Sequence, residues 1–137
     1  MPLEIAQRER EGIEILDLKG RLTFGEEDLQ LRNKLEELVA KNKTKVVLSL
    51  ESLSAIDTTG LGTLLFAQET LRASGGGVAL AGLLPSHIES LMKAKLEVVF
   101  EIFGDDLDAV NSFFPGREVA RYDVLEFVRA KERKPSE

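Results

Sequence analysis

Cysteine and tryptophan are absent from this chain of 137 residues, and histidine occurs once, as His87. Without cysteine the chain forms no disulfide bond, no thiolate zinc site and no cysteine nucleophile, and this composition is typical of a reducing compartment. A single histidine has no second imidazole with which to share a metal ion. We therefore predict that the protein holds no metal and no cofactor.

Long apolar runs are also missing. The apolar run at residues 78–84, which three preceding glycines extend to 75–84, is the longest run of apolar residues and glycine, whereas a membrane-spanning helix needs about 20 such residues. Charged residues at positions 4 and 8–11 occupy the place where a secretory signal carries its apolar segment. We expect a cytoplasmic protein without membrane insertion.

Charge and apolar content narrow the class further. The chain has 18 Lys and Arg against 24 Asp and Glu, a formal charge of −6, which argues against direct binding of nucleic acid. Hydrophobic residues make up 43% and charged residues 31%, so the chain can fold around a core and remain soluble. Its length is that of one domain.

Hydrophobic periodicity predicts an α/β fold. Alternation at residues 3–8 and a turn at 11–12 predict an N-terminal β-hairpin, which Gly20 ends. The predicted strands cover residues 3–8, 13–18, 45–50, 78–83 and 98–103. The predicted helices cover residues 26–42, 61–72 with a start close to Thr58, 85–95 and 105–113. Alternating strands and helices imply a mixed, mainly parallel β-sheet covered by helices, with the hairpin antiparallel.

The chain after Pro115 and Gly116 is predicted to be an addition to this domain. We place the domain at residues 1–113 and a C-terminal extension at 114–137, with a helix at about 123–133 that starts on an acidic cap. The apolar stripe of that helix either covers the core or mediates association. A homodimer stays an open alternative.

Motifs for catalysis or nucleotide binding are incomplete. Gly60 and Gly62 resemble the start of a dinucleotide fingerprint, but its third glycine would fall at Leu65. The glycines at 75–77 are not followed by Lys and Ser or Thr, so they indicate a helix end rather than a phosphate-binding loop. His87 follows a proline at a helix start and is predicted to be a surface or capping residue. We predict no enzymatic activity.

The remaining candidate is a polar loop predicted at residues 52–59. Asp57, Thr58 and Thr59 stand at the start of the helix that follows it. Their side-chain oxygens could serve only to cap free backbone N–H groups. Alternatively, an exposed hydroxyl at a helix start is well placed to receive a phosphate group, although the carboxylate of Asp57 would repel it.

The run from Ser54 to Gly62, with the apolar strand before it and the amphipathic helix after it, closely resembles the STAS domain. This family occurs in bacterial anti-sigma factor antagonists and on sulfate transporters. Its pattern is a strand followed by Asp, two Ser or Thr residues, Gly, Leu and Gly, which the sequence matches from Asp57 to Gly62. The resemblance covers about residues 3–113 and implies a STAS-like fold.

The resemblance also implies a function. In antagonists of this family the hydroxyl residue after the Asp, here Thr58, is phosphorylated by an anti-sigma factor serine/threonine kinase, and the unphosphorylated protein binds that partner. Many members have Ser at this position. Gly60 and Gly62 are expected to let the partner approach the helix start. The resemblance places in the partner-binding face Thr23, Phe24, Asp57, Thr58, Thr59, Gly60 and Gly62.

Two alternatives belong to other classes of protein. The chain could be a structural STAS subunit of a membrane transporter complex for lipids or anions. It could also be a nucleotide-binding module that uses the free amides at the start of the Thr58 helix, although it lacks a phosphate-binding lysine motif.

Overall fold

A computed structural model describes residues 2–132. One five-stranded sheet has the order β1-β2-β3-β4-β5, with β1 antiparallel to β2 and the other neighbours parallel. The strands are β1 (Glu4–Arg10), β2 (Ile13–Leu22), β3 (Lys45–Ile56), β4 (Gly77–Ala81) and β5 (Glu101–Phe103). The helices are α1 (Glu26–Ala40), α2 (Thr58–Ala73), α3 (Pro85–Lys93), α4 (Asp106–Asn111) and α5 (Val124–Glu132). The predicted fold class is confirmed.

Both faces of the sheet are buried, because successive side chains of the central strands point alternately into two cores. On β2, Leu16 and Leu18 point into a large core that they share with the apolar stripes of α1 and α2. Ile13 and Ile15 point into a smaller core on the opposite face, where α4 packs. Parallel strands that are covered by helices on both faces need apolar residues at consecutive positions. The run of apolar residues predicted as a buried strand at 45–50 meets this requirement.

Strands β2 and β3 run further than the sequence predicts. Gly20 does not end the hairpin, because β2 passes through it with φ 103° to Leu22, and β3 continues to Ile56 across residues predicted to be a polar loop. The two extensions pair with each other, with Leu22 opposite Ile56, and Leu53 is fully buried. The ladder and this burial outweigh the polar local composition. The extension of β3 runs past the end of its pairing with β4 and brings the chain to Asp57.

The last strand is shorter than predicted. Residues 97–99 form turns instead of extending β5, and Val98 is 85% exposed. The carbonyl of Val99 accepts a hydrogen bond of 2.6 Å from the Gln68 side chain of α2, in place of a ladder partner. Phe103 forms an antiparallel bridge with Arg121 on its outer side. The segment at Arg121 and Tyr122 therefore covers the outer edge of β5.

The segment after α4 packs on the domain. Phe113, Phe114 and Val119 border the smaller core, and Tyr122 and Val124 border the larger one. The predicted helix at 123–133 is confirmed as α5 up to Glu132, while residue 133 lies outside the described residues. Part of its apolar surface thus covers the core. No helix within residues 2–132 combines the length and apolar character that crossing a membrane requires.

His87 is buried, so the predicted surface position was wrong, while the predicted capping role is confirmed. The backbone N–H of Leu84 donates to Nδ1 of His87 over 2.9 Å at the start of α3. Nε2 then carries the proton and donates to the carbonyl of Leu53 over 2.8 Å. The neutral ring thereby ties α3 to the extension of β3.

His87 gives the fold a dependence on pH. Burial lowers the pKa of this imidazole and outweighs the Leu53 carbonyl, which favours the charged ring. The unfolded chain therefore binds a proton at higher pH than the folded protein, so the stability that the neutral ring provides is complete above about pH 6.5 and declines as the pH falls below it. Urea unfolding at about pH 7.5 and about pH 5 measures this loss.

The matched variant is His87→Gln, which cannot titrate. We expect it to be less stable than the natural protein by about 1–3 kcal/mol at the higher pH, since buried hydrogen-bonding groups lose partners, and to lose less stability on acidification. If the free energy of unfolding falls equally with pH in the two proteins, His87 is not the source of the pH dependence.

Candidate functional site

The candidate site lies where the extensions of β2 and β3 end, at the carboxyl edge of the sheet. The backbone N–H of Asp57 donates to the carbonyl of Leu22 over 3.4 Å, so the chain is still tied to β2 when α2 begins. The loop that follows β2 starts at the same place with Thr23. Ligand and partner sites of α/β folds are commonly built at this edge from the loops that leave the strands.

Asp57 joins the β2–α1 loop to the start of α2. Its Oδ1 accepts a hydrogen bond of 2.9 Å from the N–H of Gly60, which makes it the N-cap of α2, and its Oδ2 accepts one of 3.0 Å from the N–H of Phe24. Partial burial raises the pKa of the Asp57 carboxyl, but these N–H groups outweigh it and the pKa lies below its ordinary value. Asp57 is thus an anion with both oxygens occupied.

Thr58 is the first residue of α2 and is exposed. Among residues 2–132 its hydroxyl has no hydrogen-bond partner, whereas Thr59 is half-buried and its carbonyl accepts a bond from the Thr63 hydroxyl. The cap is made by Asp57 rather than by either threonine. The sequence left two interpretations open, a helix cap or a hydroxyl that is placed to receive a phosphate. The cap is Asp57, and the Thr58 hydroxyl faces solvent.

The two glycines of the motif have different environments. Gly60 is buried, and a Cβ at this position would lie 2.2 Å from the carbonyl oxygen of Leu22 and 2.8 Å from the Ile56 side chain. Its lack of a side chain serves the contact between α2 and β2, which corrects the expectation that it allows a partner to approach. Gly62 is exposed with nothing within 4 Å of its Cβ position, so that expectation remains a prediction for Gly62.

The loop after β2 places an aromatic side chain beside the motif. Thr23 is half-buried and Phe24 is 81% exposed, although its backbone is fixed by the bond to Asp57. Gly25 follows with φ 123°, a conformation that glycine adopts readily, and allows the turn into α1. The structure thus brings together all seven residues that the sequence singled out, six of them with some exposed surface.

A cavity of about 460 Å³ lies beside Thr58. Ile56, Asp57, Thr58 and Leu61 form one side, and Ser90 and Lys93 of α3 form the other with Ala94, the C-cap of that helix. Nothing local in the sequence marks Ser90, Lys93 and Ala94 as part of the site, because their approach to Thr58 depends on how α3 packs against β3. Within residues 2–132, no three His, Asp or Glu side chains are grouped to hold a metal ion.

Comparisons with known proteins agree on the family. The model of the family described as the STAS domain matches residues 4–109. An anti-sigma F factor antagonist of Paenibacillus polymyxa is 26% identical over 112 residues, which span 81% of this chain and 95% of that protein.

Solved structures share the fold. A candidate anti-sigma factor antagonist of Thermotoga maritima has a TM-score of 0.74 at 20% identity, covering 80% of this chain and 93% of that one. SpoIIAA of Bacillus, an anti-sigma factor antagonist, matches in its unphosphorylated form with a TM-score of 0.63 at 18% identity, covering 84% and 99%. Its phosphorylated form matches with 0.62 at 19%, covering 80% and 98%. The resemblance read from the motif is confirmed.

Proposed function

This chain belongs to the STAS domain family, and on that premise we propose that it is a cytoplasmic, phosphorylation-controlled switch that binds a protein partner. The partner is an anti-sigma factor serine/threonine kinase, which it binds while Thr58 carries a free hydroxyl. The observation that carries the proposal is the exposed Thr58 hydroxyl beside Asp57, whose two oxygens are already occupied by backbone N–H groups.

The surface around Thr58 has the character of a protein-binding face. Phe24 is an exposed aromatic ring on a loop whose backbone is fixed, and aromatic residues held in this way are frequent anchors of interfaces. Gly62 leaves one side of α2 open. A partner can therefore pack closely against α2 while it encloses the Phe24 ring.

A phosphate on Thr58 would oppose such binding. It would add about −1.5 to −2 charges next to the fixed carboxylate of Asp57, and an interface that covers both groups would have to bury them. Burying negative charge that is not fully compensated by positive groups costs several kcal/mol. The proposed switch therefore works through local charge in the interface.

The role is binding rather than catalysis. The one carboxylate of the motif, Asp57, is engaged as a helix cap, and the one imidazole, His87, is buried in bonds to the backbone. The transporter-subunit alternative has less support, because the curated relative matched over 95% of its length is an anti-sigma F factor antagonist. No observation on the site favours the nucleotide-binding alternative.

Phe24→Ala tests the binding half of the proposal. Titrating the unphosphorylated protein with a purified anti-sigma factor kinase of the same bacterium should give a complex that this change weakens about 30-fold, because loss of an anchoring aromatic costs about 2 kcal/mol. Val98→Ala is the matched control, since Val98 is equally exposed but lies in the turns before β5. Absence of a complex, or equal affinities of the two variants, would overturn the proposal.

A further inference from the structure

One face of α3 is turned toward the proposed phosphate acceptor. Lys93 and the C-cap residue Ala94 follow Ser90 by three and four residues, so both lie on the same side of the helix as Ser90, and all three line the cavity that Thr58 borders. Asp57 and Lys93 are the charged residues of this lining. The cavity thus has a hydroxyl and a carboxylate on the α2 side and a single ammonium group on the α3 side.

The ammonium group of Lys93 is available to an anion. The lysine ion pairs within residues 2–132 are made by Lys34, Lys41 and Lys43, and Lys93 makes none within 4.0 Å. The nearby carboxylate of Asp57 already accepts two backbone N–H groups. Two other acidic residues are close to Lys93 in the chain, Glu89 one turn earlier on α3 and Glu97 four residues later, and neither lines the cavity. A charged group that enters the cavity from the Thr58 side would therefore meet an uncommitted cation.

We propose that Lys93 pairs with the phosphate on Thr58 and holds it in the cavity between α2 and α3. The inference rests on the proposed function, because it takes Thr58 as the phosphorylated residue. Lys93 acts as a positioning residue: it has no part in transferring the phosphoryl group and fixes where the new charge sits. The Ser90 hydroxyl, on the same face, supplies a second donor. The phosphorylated form would then be bridged from the start of α2 to the end of α3.

The test measures the phosphate itself. Phosphothreonine is installed at position 58 by genetic encoding, and its second pKa, about 6 for a free phosphothreonine, is measured by ³¹P NMR at low salt. Opposite unit charges about 6 Å apart in water attract enough to move a pKa by about 0.5. Lys93→Gln should therefore raise the phosphate pKa by about 0.5, and Lys93→Arg, which keeps the charge, should leave it within about 0.1 of the natural protein.

Lys45→Gln is the matched control. Lys45 is exposed at the opposite end of β3, which at about 3.3 Å per residue puts it about 40 Å from Thr58, beyond the screening length of about 30 Å at low salt, so the phosphate pKa should change by less than about 0.1. A Lys93→Gln protein with the phosphate pKa of the natural one, or an equal change from Lys45→Gln, would overturn the inference. Since encoding needs neither kinase nor partner, this result is independent of whether a kinase modifies Thr58, and the two proposals fail separately.

Discussion

Replacing Gly60 with alanine is expected to lower the free energy of unfolding by about 3 kcal/mol. The new Cβ would stand 2.2 Å from the carbonyl oxygen of Leu22, which is backbone within the paired part of β2 and cannot move aside alone. The start of α2 would have to withdraw from the sheet, and the cap by Asp57 would be distorted with it. Urea unfolding followed by circular dichroism measures the change.

Gly62→Ala is the control, since it makes the same chemical change two residues further along α2. Nothing lies within 4 Å of the new Cβ, and alanine is favoured over glycine in an exposed helix by about 0.5–1 kcal/mol. We therefore expect this variant to be slightly more stable than the natural protein. Equal stabilities for Gly60→Ala and Gly62→Ala would contradict the packing of α2 on Leu22.

Phosphothreonine at position 58 is expected to weaken binding of the anti-sigma factor kinase by about 100-fold or more. The contact would have to bury a charge of about −1.5 to −2 beside the carboxylate of Asp57, and a cost of about 3 kcal/mol corresponds to a factor of about 100. Calorimetric titration of the kinase with the encoded phosphoprotein and with the unmodified protein gives the ratio.

Substitutions at Thr58 separate charge from shape. Thr58→Ala removes an exposed side chain without adding charge and should keep nearly full affinity. Thr58→Glu adds one negative charge, fewer than the phosphate adds, so its affinity for the kinase should lie between those of Thr58→Ala and the phosphoprotein. If binding is the same for Thr58→Ala, Thr58→Glu and the phosphoprotein, charge at this position does not control the partner.

Those strands of the sheet that are buried on both faces could be predicted from the sequence, because such burial requires a run of consecutive apolar residues. The apolar run at residues 46–48 and Leu50 predicted a buried strand, and the structure places these side chains in the two cores. The antiparallel hairpin followed from alternation and a turn. Such signals are local and repeat along the chain, so no knowledge of distant contacts is needed.

The extensions of β2 and β3 could not be predicted in this way. Gly20 and the serines of residues 52–54 are typical of loops, and only their pairing across the sheet, with Gly20 opposite Leu53, makes them strand. The site itself was partly predictable, because Asp57 and Thr58 adjoin a helix start. The bond from Phe24 to Asp57 joins residues 33 positions apart, and the approach of Lys93 depends on the path of α3, neither of which leaves a local signal.

Mapping the phosphate is the most direct measurement of the central claim. The protein is incubated with ATP and with an anti-sigma factor kinase that comes from the same bacterium and binds the protein. Tandem mass spectrometry of the protein's peptides then locates the modified residue. The expected result is a single phosphate on Thr58, with none transferred to the Thr58→Ala variant. Phosphate on another residue, or equal phosphorylation of Thr58→Ala, would contradict the assignment of Thr58 as the switch.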